Sequence, residues 1–69
     1  MESILNKIGE LDKETSRDLR LIMDMSYNCI RVAIRDEEQQ ERLLEIVDAI
    51  SDAAKARINE IATKELENI

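Results

Sequence analysis

From Leu19 to Ile34 the chain reads LRLIMDMSYNCIRVAI, and its polar positions are the exception. At about 100° per residue, Arg20, Asp24, Asn28, Arg31 and Arg35 fall within an arc of roughly 80°. Nearly every other position is apolar: Leu19, Leu21, Ile22, Met23, Met25, Cys29, Ile30, Val32, Ala33 and Ile34. An ordinary surface helix buries one stripe, whereas this one exposes only one. It needs cover on two or three sides. Further along, Leu43, Val47, Ile50, Ala54, Ile58 and Ile61 form a single helical stripe, with Ile46, Ala53 and Arg57 beside it and Leu66 and Ile69 continuing it. Glu41, Glu45, Asp48, Asp52 and Asn59 share an arc of roughly 60° on the far side.

The two long segments are separated by RDEEQQER, eight residues with no apolar side chain. Its residues are good helix formers, so one continuous rod competes with a hairpin. The rod would carry Glu37, Glu38, Gln40 and Glu41 along a seam that wants apolar side chains. A turn is favoured, over residues 36–40, with Asp36 as N-cap and Gln39 three residues on. The first long helix is then 12–35 and the second 41–69, although the stripe itself allows a helix from about Glu37 to Glu67. Before them, residues 1–11 place Ile4, Leu5, Ile8 and Leu11 at helical spacing, interrupted by Gly9, as a short helix or an arm. Asp12 and Thr15 compete to cap the first long helix, Thr15 with Asp18 three residues on. An unbroken helix from about residue 3 is the alternative.

Folded back antiparallel, partners whose numbers sum to about 77 match large residues with small ones. Ile30 then meets Val47, Tyr27 meets Ile50, Met23 meets Ala54, and Leu19 meets Ile58. Extended outward, the register sets Leu11 against Leu66 and Ile8 against Ile69. Leu21, Met25 and Val32 remain uncovered. Burying such side chains contributes about 1.5–3 kcal/mol each. The expected fold is therefore all-α: a helical hairpin with a short N-terminal helix, pairing into a dimeric four-helix bundle. Leu21, Met25 and Val32 form the dimer interface with Ala49, Ala53 and Ala56, whose small side chains admit another helix.

Composition narrows the function classes. The 69 residues allow one domain, with no proline, one glycine, one aromatic residue (Tyr27), one cysteine and no histidine. That excludes an intrachain disulfide and removes the turn chemistry of an all-β fold. No apolar run approaches the roughly 20 residues that span a membrane. The amino terminus lacks the pattern of a secretory signal, and a lone cysteine suits a reducing compartment, so a cytoplasmic protein is expected. Net charge is -6, all of it in the second half: residues 36–69 carry ten acids and four bases, whereas residues 1–35 carry six of each.

Catalysis finds no foothold. Cys29, Ser16 and Ser26 have no base to activate them, and Cys29 reads as a small buried hydrophobe. The acids Glu37, Glu38, Glu41 and Glu45 lack the histidine of a di-iron bundle and the loop of a calcium site. Neither a metal nor a cofactor is expected, and no enzyme.

The surfaces carry the function instead. The acidic face of Glu41, Glu45, Asp48 and Asp52 suits a basic or nucleic-acid-handling protein partner. The expected role is a small noncatalytic regulator, inhibitor or co-chaperone, of the kind phages and plasmids encode. The alternative uses the basic stripe of Lys13, Arg17, Arg20, Asn28, Arg31 and Arg35 as a nucleic-acid face, unless Asp24 pairs with Arg20 or Arg31 and leaves it merely solvated. A hairpin dimer with such a stripe resembles the Rop-like plasmid regulators in general architecture. That resemblance implies a four-helix bundle that binds paired RNA loops.

Overall fold

The computed structural model describes residues 3–68 and is all-helical among them: α1 (Ile4–Ile8), α2 (Lys13–Ala33) and α3 (Glu37–Glu67). Each helix begins on a side-chain cap. Ser3 accepts from the Asn6 N–H, Asp12 from the Thr15 N–H at 2.7 Å, and Asp36 from the Gln39 N–H at 3.0 Å. Asp12, not Thr15, opens α2, because its extended backbone (ψ 174°) stands outside the helix while Thr15 is already inside it. The chain between Ile8 and Lys13 is not α-helical, so α1 and α2 are separate helices.

The link between α2 and α3 is shorter than residues 36–40. Only Ile34, Arg35 and Asp36 are non-helical, and α3 starts at Glu37 rather than 41. Gln40 makes this economy work. From the first turn of α3 its side-chain amide donates to the Ile34 carbonyl at 3.0 Å and to the Arg31 carbonyl at 3.3 Å. Those are carbonyls at the end of α2 with no helical partner, the groups a C-terminal cap must satisfy. No glycine is used.

α2 and α3 pack along their length as an antiparallel hairpin, and the rod is excluded. Lys13 Nζ lies 3.0 Å from Glu65 Oε2, joining the open ends at numbers that sum to 78. Leu19, Met23, Tyr27, Ile30, Ile50 and Ile58 are half-buried, and Val47 and Ala54 are buried. Ser16 is also fully buried, its hydroxyl satisfied by the Asp12 carbonyl at 2.7 Å.

The outward extension of the register does not hold for Leu11 and Leu66. Arg57 Nε donates to the Leu11 carbonyl at 2.7 Å, which ties the entry to α2 about two-thirds of the way along α3. Leu66 is nine residues from Arg57, about 180° around the helix, and stays 71% exposed. α1 packs on α3 and buries Ile8; Ile69, its expected partner, lies outside the described residues.

Among the described residues, buried apolar side chains are few: Ile8, Val47 and Ala54. The hairpin is long and flat, 49 × 27 × 13 Å, with a radius of gyration of 14.2 Å against about 11 Å for a compact chain of this length.

Two predictions follow from the caps and the clamp. Hydrogen bonding from the Thr15 side chain and backbone N–H holds the Asp12 carboxyl below its ordinary value. A lowered folded-state value stabilises above the unfolded value of about 3.9 and is lost as pH falls through it. Asp12→Ala should therefore lower the melting temperature at neutral pH, and the gap should close on acidification below about pH 4. Arg57→Met keeps the stem but removes the charged hydrogen bond to Leu11. By chemical denaturation it should cost about 1–3 kcal/mol.

Candidate interaction surfaces

α2 carries three longitudinal strips, because α3 covers only one side of it. The first strip faces α3. The second is basic, and the third is apolar and open. Arg17, Arg20, Asn28, Arg31 and Arg35 are exposed on the basic strip, and Lys13, half-buried, is drawn into the pair with Glu65. Asp24 makes no ion pair with Arg20 or Arg31 among the described residues, so it does not neutralise the stripe by contact. Arg31 instead sets its guanidinium 6.0 Å from the centroid of the Tyr27 ring, at the outer edge of cation–π range. Among the described residues the Tyr27 hydroxyl forms no hydrogen bond with Asp24 or Arg31. Between the helices a shallow groove of about 370 Å³ is lined by Arg17, Arg20, Leu21, Asp24 and Ile58.

On α3, Glu41, Glu45, Asp48 and Asp52 are exposed and form no ion pair among the described residues. The charged contacts of this helix lie elsewhere, in Arg42–Glu38, Arg57–Glu60, Lys64–Glu60 and Lys13–Glu65. The acidic face is therefore four carboxylates fully available to a cationic partner. No group of Cys, Asp and Glu side chains converges on a common point as metal ligands do, among the described residues.

The third strip is open where the hairpin register leaves Leu21, Met25 and Val32 uncovered, and it departs from expectation at Cys29. Cys29 is exposed, not buried. Its side of α2 is turned by roughly 100° or more from the contact with α3, so the hairpin cannot reach it. Leu21, Ile22, Met25 and Val32 are likewise more than half exposed, Val32 at 82%. With Asn28 and Ala33, Cys29 and Val32 line an apolar depression of about 430 Å³. On α3, Ala49 and Ala56 are exposed and Ala53 is half-buried. By helical phase Ala56 points directly away from α2, and Leu21 nearly directly away from α3. The six residues expected to form one dimer interface thus wrap around opposite edges of the hairpin. One flat contact does not use them all.

Leu43 was placed in the stripe facing α2 and Ile46 only beside it, although both are exposed next to this strip. Their signal was present in the spacing of Leu43, Ile46, Ile50 and Ala53, a second stripe next to the one facing α2. No helix of the described residues is long and apolar enough to cross a membrane.

Compared with models of protein families, with curated proteins and with solved structures, the chain matches none. Its functional reading rests on its own surfaces.

Proposed function

We propose that the chain is a small noncatalytic regulator, inhibitor or co-chaperone, which acts by protein–protein contact as a homodimer. One observation carries the reading. Among the described residues three apolar side chains are buried, whereas nine large ones are exposed. A soluble monomer scatters exposed apolar residues singly, and contiguous patches mark interaction sites. Among the described residues no titratable pair is arranged for acid–base or nucleophilic work. What remains to act is surface.

The partner-facing surface in this reading is Glu41, Glu45, Asp48 and Asp52. Four unpaired carboxylates on one side of α3 steer a basic partner and set its orientation. The charge excess of the second half strengthens that field. A basic, nucleic-acid-handling protein fits it, the carboxylate row standing where phosphates otherwise bind.

A second reading is favoured by a specific observation: Arg17, Arg20, Arg31 and Arg35 have no ion-pair partner among the described residues. In that reading the stripe contacts phosphates of RNA or DNA, with Tyr27 beneath Arg31 as a stacking surface. The net charge of -6 opposes it.

The two readings separate by charge reversal against the partner that co-purifies with a tagged chain. Glu45→Lys with Asp48→Lys should abolish capture of a protein partner while helicity stays unchanged. Arg20→Glu with Arg31→Glu should leave that capture intact. The opposite result, with affinity for nucleic acid falling steeply as salt rises, transfers the function to the basic stripe.

A further inference from the structure

Two short runs of heptad spacing lie side by side on one face of the hairpin. On α2 they are Ile22, Met25, Cys29 and Val32, and on α3 Leu43, Ile46, Ile50 and Ala53; both step by 3, 4 and 3 residues. This is the spacing with which one helix packs along another. In the antiparallel register the two runs stand at the same level. By helical phase, each lies on the same side of the plane through α2 and α3. Arg57 occupies the next heptad position on α3, and there the seam is already covered: it holds the Leu11 carbonyl at 2.7 Å. The segment leading into α2 thus closes one end of the seam. Beyond it, toward the turn, the seam is open, with Ile22, Met25, Val32 and Ile46 each more than half exposed.

We propose that these two seams are closed by a second copy of this chain, completing a four-helix bundle. The inference rests on the interaction reading above and names one partner within it. Surface area is the first argument. The chain exposes 5492 Å², whereas a compact monomer of 8.0 kDa exposes about 4,450 Å². The excess of about 1,000 Å² matches the roughly 800 Å² that each partner buries in a stable complex. Charge is the second. A chain of net charge -6 repels its own copy, so copies must meet through a face without charge. None of the eight seam positions is charged, nor are Leu21, Asn28 and Ala49 beside them. Self-complementarity is the third. A two-fold contact requires one surface to fit itself, and two parallel seams of equal length and spacing do so by interdigitation. The interface shifts accordingly from the edges marked by Leu21 and Ala56 to the face of Ile22, Cys29 and Ile46.

Cys29 reports on this contact without mutation, because it is exposed in the single chain and enclosed in the dimer. Alkylation of the native protein by excess iodoacetamide should slow about tenfold as protein concentration rises through the dimer dissociation constant. Sedimentation equilibrium over the same range should move from 8.0 kDa to about 16 kDa. Ile22→Glu with Ile46→Glu should hold the mass at 8.0 kDa with rapid alkylation at every concentration, and Leu66→Glu, away from the seam, should still dimerise. If the double variant loses its helicity, the native alkylation series decides alone. A native mass of 8.0 kDa throughout, with concentration-independent alkylation, overturns the proposal. So does a dimer in which Cys29 stays reactive, since association then uses another face. A monomer whose seam variant no longer captures a foreign protein overturns it in favour of that protein's helix. Reversal of Glu45 and Asp48 should leave the mass unchanged, which keeps this test separate from that of the acidic face.

Discussion

The structure depends on how little the hairpin can bury by itself. Two helices share one line of contact, and a third helix of five residues packs mainly on α3. Along that line the most enclosed side chains are small, Ala54 and Ser16 and the larger Val47, with Ile8 supplied by α1. Small residues let the helices approach closely but contribute modest apolar area. Domains of this size are marginal even when compact, and usually draw support from disulfides, metals or association. A chain with one cysteine and no histidine forms no intrachain disulfide, and association is the support proposed for it. The apolar face of α2 and the neighbouring flank of α3 then read as the other half of a core.

This constraint also sorts the charged surfaces. If the seam face is closed by a second copy, what stays in water is the opposite side, where the basic strip of α2 lies beside the acidic strip of α3. Each strip is largely unpaired within the chain, which keeps its field available to a partner. Dimerisation repeats both strips by symmetry. In the proposed dimer, repeated acidic rows would engage a basic partner twice, and avidity would multiply a modest single contact.

Much of the architecture was legible in the residues. The apolar period of Leu43 to Ile61, the eight-residue polar gap and the caps at Asp12 and Asp36 mark helices, break and direction of return. What escaped were long side chains acting on distant backbone. Gln40 reads as one more polar residue in an acidic turn, yet it caps two α2 carbonyls. Arg57 reads as a member of a stripe, yet it clamps Leu11 across 46 positions and diverts the N-terminal segment from Leu66. No local pattern announces such contacts. Cys29 was misplaced for a different reason. An apolar neighbourhood in sequence implies burial only if something covers it, and one antiparallel partner covers a single side of α2. The charged faces, in contrast, needed only helical phase, and Glu41 to Asp52 stand exposed where the period puts them.

The central claim is that folding of this chain is completed by a second copy. Thermal unfolding followed by circular dichroism across a hundredfold range of protein concentration tests it most directly, because only association makes the midpoint depend on concentration. The account predicts a midpoint that climbs by several degrees as concentration rises, in one cooperative transition. A sharp transition at the same temperature across the whole range would show that the hairpin stands alone, and would contradict it.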